Sequence, residues 1–511
     1  MKGSKSGCIL AVIAALEGCT VGPNYRAPAT TMPDVFNAHA TTRPMLATPT
    51  TQPVDMTRWW RSLNDPELDS LVERAIYANP DLEIALTRLQ EARTYESIVL
   101  GGALPVAEAS GAAARGSGTN STKDRVSGPL NAGTNTTGLK EITQVVGFDA
   151  GWELDLFGRY RREIEAAGDE TQAMVEQRND VLITLIADVA RAYMDYRGLQ
   201  SRLSIARDNL RIEQQSVDLV QERFNRGLTN ELDLALARRQ LATLQSEIAP
   251  LNAELIVAER RIAVLLNEYP GALDVELSKQ APLPIVPEKI DSGLPVDLIR
   301  RRPDIRQAER ELAAGTARIG VATANLFPRV AITAGVGMQG QGLGRVPGVN
   351  SFIWSAGPTA YWPLLDFGAL DAMIDMENLR THELLVSYKR AILAAVEEVE
   401  NAINSYDAQQ QRLRALAGAL TASQRAVELA QQRYDRGLTD YLNVLDAERQ
   451  LYVLQDQYAV AREDVVVQFI ALYKGLGGGW EKYQAIPSIR KPQPAIVATV
   501  REVISPDNPQ K

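Results

Sequence analysis

The sequence is poor in the residues that carry out most enzyme chemistry. Its 511 residues include only two cysteines, Cys8 and Cys19, and two histidines, His39 and His382. These are too few and too scattered for a zinc cluster, a disulfide framework or a histidine-based catalytic centre. We therefore expect no enzyme, no bound metal and no cofactor.

An excess of basic charge and long apolar runs are missing as well. The formal net charge is −9, whereas a nucleic-acid-binding protein needs a clustered basic surface. No apolar run of 18 or more residues follows the N-terminal segment, so the sequence predicts no membrane-spanning helix in the mature chain. The chain is nevertheless 45% hydrophobic and 23% charged, which is typical of a folded protein.

The N-terminus has the pattern of an export signal. Lys2 and Lys5 precede a short apolar run at 9–16, and Gly18 and Cys19 follow it. The letters LEGC at 16–19 resemble a bacterial lipobox, in which the cysteine becomes the lipid-modified first residue of the mature protein. We expect a signal peptide over 1–18 and lipidation, including palmitate, at Cys19. The alternative is an ordinary signal peptide with an incidental cysteine.

The chain contains an internal repeat. The letters QERFNRGLT at 221–229 recur 210 residues later as QQRYDRGLT at 431–439, and residues 152–241 align with 362–451 without a gap. Upstream, NPDL at 79–82 corresponds to RPDI at 302–305, now at an offset of 223. A repeat of this size predicts two copies of one structural unit. Each copy is expected to contain a helix, two strands, a very long helix and a shorter returning helix.

Heptad patterns predict that the long helices form coiled coils. A helix from Arg159 to Arg226 would be roughly 100 Å long at about 1.5 Å per residue. The positions of the first seam, spaced alternately by three and four, are Val175, Arg178, Leu182, Leu185, Val189, Ala192, Tyr196, Leu199, Leu203, Ala206, Leu210, Glu213, Val217, Val220 and Phe224. Those of the second are Leu385, Tyr388, Ile392, Ala395, Val399, Ala402, Tyr406, Leu413, Leu416, Leu420, Ser423, Val427, Ala430 and Tyr434. A cytosolic coiled-coil dimer is the alternative, but it explains neither the signal peptide nor the strands.

The expected strands alternate in polarity. Apolar residues occupy the even positions of 328–339, 146–156 and 352–364, and small or polar residues occupy most of the odd ones. The segment at 146–156 has an acidic odd face formed by Asp149, Glu153 and Asp155. This pattern is typical of outer-membrane strands, and a sandwich face buried in protein is the alternative. Two interpretations of the acidic residues remain open: they are solvated side chains of a pore wall, or they form a selectivity filter.

The number of strands predicts an oligomer. Four strands cannot close a barrel, and lipid does not tolerate the unpaired backbone groups of an open sheet edge. Two chains would give eight strands with a filled interior, whereas three chains give twelve strands and an aqueous bore. A trimer is therefore the smallest assembly that we expect to conduct.

These features together identify a resemblance to the TolC family of outer-membrane channels, and specifically to its lipoprotein branch (OprM-like, NodT-type) that serves tripartite efflux pumps. The motifs that carry it are CTVGPNY at 19–25, WW at 59–60, LDLFGR at 154–159, RPD at 302–304, both RGLT segments and LGGGW at 476–480. The resemblance implies a mainly α fold with transmembrane β-strands. It further implies a trimer with a twelve-stranded β-barrel and an α-helical periplasmic tunnel.

The expected domain organisation follows the repeat. We expect a signal peptide over 1–18 and, over 19–64, a lipidated N-terminal segment with equatorial contacts. The first repeat is expected over 65–266, with strands about 104–116 and 143–157, and a proline-rich linker over 267–296 in an equatorial layer follows it. The second repeat is expected over 297–480, with strands about 328–340 and 351–367, and the C-terminal tail over 481–511. The hairpin tips are expected near 227 and 437.

Both hairpin tips are candidate docking surfaces for a periplasmic membrane-fusion adaptor. Glycine is expected to end each long helix, and threonine is a candidate cap for the next helix. The candidate residues are Arg223, Arg226, Gly227, Leu228, Thr229, Arg433, Arg436, Gly437, Leu438 and Thr439. Asp435, Asp440 and Asp446 surround the second tip, so they are candidates for a ring at the periplasmic aperture. Each could instead be solvated or cap the returning helix.

The resulting hypothesis is an outer-membrane efflux duct. It is located in the outer membrane, anchored by lipid, with a large periplasmic part. It passively exports small amphipathic compounds such as antibiotics, and an inner-membrane transporter of the resistance-nodulation-division (RND) type supplies the energy. One alternative is a duct for polypeptide in a type I secretion system. The other is a coiled-coil lipoprotein without a pore.

Overall fold

A computed structural model describes residues 20–29, 55–115, 142–287, 297–298, 301–341 and 352–483. The expected signal peptide, Cys19, the loop at 116–138 and the tail beyond 483 lie outside these residues. The chain forms two compact units. One contains residues 88–175 and 307–389, and the other contains 176–306 and 390–483 together with 55–87.

Except that two helices rather than one precede the strands, the first repeat has the expected order of elements. They are α1 (Pro66–Ala78), α2 (Pro80–Gly102), β1 (Val106–Arg115), β2 (Ile142–Leu154), α3 (Arg159–Asn225) and α4 (Glu231–Leu265). Polar residues start the first two helices. The Asp65 side chain accepts hydrogen bonds from the amides of Glu67 and Leu68, and Asn79 caps α2 in the same way.

The second repeat follows the same plan. A short helix, α5 (Asp274–Leu277), lies in the connection, and then come α6 (Pro303–Ala324), β3 (Arg329–Gln341), β4 (Phe352–Tyr361), α7 (Ala369–Asp435) and α8 (Tyr441–Gly475). The long helices α3 and α7 each have 67 residues, and the returning helices α4 and α8 each have 35. The prediction of two structural repeats is confirmed.

The four strands form one antiparallel sheet in the order β1-β2-β3-β4. Phe148 of β2 pairs with Val336 of β3, and Val336 pairs in turn with Trp354 of β4. The three side chains are exposed and lie on the same face, because residues paired across a sheet point to the same side. The predicted apolar face is confirmed.

Two strands are shorter than the alternating pattern indicated. β2 ends at Leu154 rather than near 157, because the amide of Leu156 turns back to the carbonyl of Leu154 and Asp155 caps α3. β4 ends at Tyr361 rather than near 367, two residues before Pro363, which has no amide hydrogen for the ladder. Trp362 therefore lies just beyond the sheet, where its indole nitrogen donates to the Leu326 carbonyl.

The heptad seams are buried over most of their length. Within the unit that contains 176–306 and 390–483, the buried seam residues of α3 are Arg178, Leu182, Leu185, Val189, Ala192, Tyr196, Leu203, Glu213, Val217 and Val220. Those of α7 are Ile392, Ala395, Val399, Ala402, Tyr406, Val427 and Tyr434. Glu213 is the one carboxylate among these buried seam residues of the described unit.

The larger core surrounds the tryptophan pair. Trp59 and Trp60 lie in a 3-10 helix, Met56–Leu63, and both are buried. The Trp59 ring stacks on Tyr473 of α8, with 5.7 Å between the ring centres. Aromatic stacking adds to the free energy gained by burial, so this helix is fixed to α8.

Candidate functional site: the two hairpin tips

Both hairpin turns have the same backbone geometry. Gly227 and Gly437 adopt left-handed conformations, with φ of 71° and 68°. In the first turn the amide of Leu228 donates to the carbonyl of Arg223 at 2.9 Å, and the amide of Leu438 donates to Arg433 at the same distance. This is the Schellman arrangement that ends a helix, and glycine adopts it without steric strain.

The threonines were expected to cap the returning helices, but the cap position is one residue later in both tips. Asn230 caps α4 by accepting a hydrogen bond from the Asp233 amide at 2.9 Å, while the Thr229 hydroxyl donates to the Asp233 carboxylate. In the second tip Asp440 occupies the cap position and makes no side-chain capping hydrogen bond. Thr439 instead accepts a hydrogen bond from the Asn443 amide group at 2.8 Å.

Each tip presents an exposed apolar side chain beside arginines. Leu228 and Leu438 are 65% and 64% exposed, so the two apolar side chains are equally accessible. Arg433 and Arg436 are exposed, and Arg226 pairs with Glu222 of its own helix. A single exposed leucine is common on protein surfaces, so the feature that distinguishes these two is their repetition at equivalent turns.

Arg223 differs from the other arginines because it connects the two repeats. Its guanidinium lies over the Tyr434 ring, 4.5 Å from the ring centre, and 3.7 Å from the Asp435 carboxylate. Tyr434 belongs to an apolar cluster formed by the long helices α3 and α7 together with the returning helices α4 and α8. The buried members of the cluster are Val217, Val220, Leu234, Ala237, Tyr434, Tyr441, Val444 and Leu445. This cluster holds both turns side by side.

The three candidate aspartates of the second tip have different surroundings. Asp435 is paired with Arg223, and Asp446 is paired with Arg449 of its own helix at 3.1 Å. Asp440 is exposed and has neither an ion pair nor a capping hydrogen bond within the described part of the tip. The single chain brings the three residues to one end of the hairpin without forming one cluster.

The acidic residues of β2 do not form one continuous face. Asp149 accepts a hydrogen bond from Ser110 of β1 at 2.9 Å. Glu153 pairs with Arg159 at 3.2 Å. Asp155 lies beyond the strand, where it caps α3 by accepting from the amides of Tyr160 and Arg161. The alternating pattern placed Asp155 on the strand face because it could not show where the strand ends.

The N-terminal motif has a partner that the sequence did not reveal. Arg162 of α3 is buried and donates hydrogen bonds to the carbonyls of Val21 and Gly22 and to the side chain of Asn24. The motif was visible in the sequence, but its partner is about 140 residues away and has no local signature. The segment that immediately follows Cys19 is thus held on α3.

The described residues contain neither a membrane-spanning helix nor a cluster of metal ligands. Within these residues, no helix combines the length and the apolar content needed to cross a bilayer. The same residues contain no group of three or more histidine, cysteine or acidic side chains arranged to hold a metal ion.

An antiparallel sheet with an exposed apolar face, in a chain that also contains two long helical hairpins, is typical of the class of outer-membrane channels. The sequence profile of the family described as "Outer membrane efflux protein" matches residues 71–268 and 294–478. The chain belongs to this family.

Individual proteins agree with this assignment. The chain is 31% identical to nodulation protein T of Rhizobium leguminosarum bv. trifolii, over 91% of this chain and 95% of that protein. It is 31% identical to the pyoverdine export outer membrane protein OpmQ of Pseudomonas aeruginosa, over 84% of this chain and 88% of that protein. The solved structure of the outer-membrane channel OprN matches with a TM-score of 0.80 and 35% identity, covering 90% of this chain and 100% of that one.

The fold and the function follow from this membership. The chain is an outer-membrane efflux channel, with transmembrane strands and a large periplasmic helical part. Its trimer forms a twelve-stranded barrel. Members of the family are trimeric channels rather than enzymes, and they work with an adaptor and an inner-membrane pump.

Proposed function

We propose that this channel passively exports small amphipathic compounds delivered by an inner-membrane transporter of the RND type. Among the similar proteins, OpmQ is named for pyoverdine export, which favours a small cargo over a secreted polypeptide. Energy comes from the pump, and the channel contributes the path across the outer membrane.

We propose the two tips as the adaptor-docking surface. The observation that carries this proposal is that both turns present the same backbone geometry and an equally exposed leucine. A trimer contains six such tips, so one adaptor surface could recognise every position with the same contacts. The arginines beside each leucine would pair with acidic groups of the adaptor.

Copurification tests the proposed function. A tagged channel, cross-linked in cells, is expected to retain an adaptor and an RND transporter. Cells lacking the channel are expected to accumulate an amphipathic dye and to secrete an unchanged set of proteins. Recovery of an ATP-driven exporter together with loss of a secreted polypeptide would instead establish the type I alternative.

Asp440 is the proposed residue of the periplasmic aperture. All three aspartates are exposed, but Asp435 and Asp446 each form an ion pair, with Arg223 and Arg449, whereas Asp440 forms none within the described part of the tip. Three unpaired carboxylates near the trimer axis would restrict the passage. We expect Asp440→Ala to increase single-channel conductance in a planar bilayer by about twofold. Asp446→Ala is the control and should leave it unchanged, and equal conductance of all three proteins would contradict this assignment.

Lipidation at Cys19 is proposed from the lipobox pattern and from the ordered segment that follows it. Cys19→Ser is expected to abolish labelling by radioactive palmitate. The trimer should still reach the outer membrane, because the strands supply membrane affinity of their own. Palmitate labelling and membrane fractionation check the two halves of the prediction. Undiminished labelling of the variant would refute modification at this residue.

A further inference from the structure

Two carboxylates lie inside the helix packing near the tips. Glu213 of α3 is 0% exposed, and Glu448 of α8 is 2% exposed. A buried carboxylate is costly unless it is paired with a cation, fully hydrogen-bonded or protonated. Neither residue forms an ion pair within the described part of the chain.

The polar groups around the pair do not satisfy both carboxylates. The Gln431 amide of α7 donates to one oxygen of Glu448 at 3.0 Å. The second oxygen of Glu448 and both oxygens of Glu213 have no hydrogen bond of ordinary geometry among the described atoms. Even with the facing Tyr452 hydroxyl counted as one donor, these three oxygens outnumber the donors available to them, and a proton on one carboxyl group would supply a missing donor.

The neighbouring titratable groups are tyrosines. Tyr441 and Tyr452 of α8 face the pair, and Tyr434 of α7 lies beside Tyr441. The Tyr441 hydroxyl is 3.1 Å from the Ser216 hydroxyl of α3. No charged group of α4 or α7 in the described part contributes to the pKa of either carboxyl group.

Burial and mutual repulsion both favour the protonated forms. The pKa of Glu213 is raised to about 7, mainly by burial and secondly by the charge of Glu448. The Tyr452 hydroxyl offsets part of this increase in pKa. Burial also raises the pKa of Glu448, and the hydrogen bond from Gln431 partly opposes that shift. At neutral pH Glu213 is therefore close to a change of protonation.

The other repeat lacks this arrangement. The positions equivalent to Glu213 and Glu448 are Ser423 and Arg238. Gln221, which is equivalent to Gln431, accepts a hydrogen bond from Arg238 at 2.6 Å, on an exposed surface. The glutamine contact thus recurs in both repeats, but the equivalent positions of the other repeat carry no carboxylate.

We propose that Glu213 and Glu448 form a proton-dependent latch, which holds α3 against α8 when at least one of them is protonated and weakens that contact when both are ionised. If the tips are the periplasmic end of the tunnel, as proposed above, the latch makes their separation dependent on pH. The latch itself does not depend on which cargo or pump the channel serves.

The direction of the pH effect follows from the raised pKa. In a separated, solvated state Glu213 has its ordinary pKa of 4.5, whereas packing raises it to about 7. Protonation of Glu213 therefore favours the packed state, and the latch is fully stabilising below pH 4.5. Its contribution falls as the pH rises from 4.5 to 7 and is lost above that range.

Hydrogen exchange on the intact trimer in detergent tests the latch. Amides of α3 near Glu213 and of α8 near Glu448 are expected to lose about tenfold in protection between pH 5.5 and pH 8, after correction for the intrinsic exchange rate. Glu213→Gln keeps the side-chain shape without the titrating proton, so protection should stay nearly constant over this range. Glu448→Gln should reduce the pH dependence as well.

Glu428→Gln is the matched control, because Glu428 is an exposed carboxylate on α7 paired with Arg425. It should retain the pH dependence of the unmodified chain. Equal protection at pH 5.5 and pH 8 in the unmodified chain overturns the latch, whether or not the variants fold. Full pH dependence in a folded Glu213→Gln trimer overturns it also. Both outcomes are independent of export activity.

Discussion

Val336→Lys should abolish insertion of the channel into the outer membrane. Val336 lies in the middle of β3 between Phe148 and Trp354, on the exposed apolar face of the sheet. A lysine on the lipid-facing side of such a strand costs about 2–4 kcal/mol near the middle of the bilayer. Three copies per trimer multiply this cost, so heat-resistant trimers should nearly disappear from the outer-membrane fraction.

Ser110→Lys is the control for the opposite face. Ser110 donates to Asp149 at 2.9 Å, so a lysine at this position gains a carboxylate partner. We expect trimer levels within about twofold of the unmodified chain, as measured by immunoblotting of unheated membranes. If Ser110→Lys were lost and Val336→Lys were tolerated, the two faces would be reversed, which requires a shift of register by one residue.

Gly437→Val should eliminate efflux while the trimer still assembles. Gly437 has a φ of 68°, and a β-branched residue is strongly disfavoured in this conformation. No atom lies within 4 Å of the position that an added side-chain carbon would occupy, so the effect comes from the backbone and not from a clash. The turn must rearrange, and Leu438 and its neighbours would leave their positions.

The expected phenotype is drug sensitivity equal to that of cells without the channel, together with unchanged trimer levels. Gly418→Val provides a matched control, because Gly418 lies within α7 and also has open space around it. Its backbone is helical, so valine should be accepted there and efflux retained. Normal efflux by Gly437→Val would show that the adaptor docks elsewhere.

Much of the architecture could be predicted from the sequence because the repeat and the heptad spacing are properties of long stretches. The heptad pattern of the two long segments continues as far as Val220 and Tyr434 and favours a helix over the whole of each segment. Both residues are buried, as expected of seam positions. Alternation in β3 likewise identified the face that carries Val336. These signals are sums over many residues, so single exceptions do not obscure them.

The features that the sequence did not reveal depend on single contacts. The sequence allowed Asp155 to lie on a strand or to cap a helix, and the structure shows the cap through the hydrogen bonds that Asp155 accepts from the amides of Tyr160 and Arg161. Arg162 was one of three arginines at the start of α3, and only the fold selects it as the partner of the N-terminal segment. Glu213 occupied a seam position, but its proximity to Glu448 requires two helices from different repeats to meet.

The equal lengths of the two hairpins place a condition on how this chain can change. Both long helices have 67 residues and both returning helices have 35, so the two turns end level with each other. Loss of one helical turn from α7 and α8 alone would withdraw that tip by about 5.4 Å. Tyr434 would then lose its place beside Arg223. An insertion or deletion in one hairpin is therefore tolerable only with a matching change in the other, so the two repeats must vary in length together.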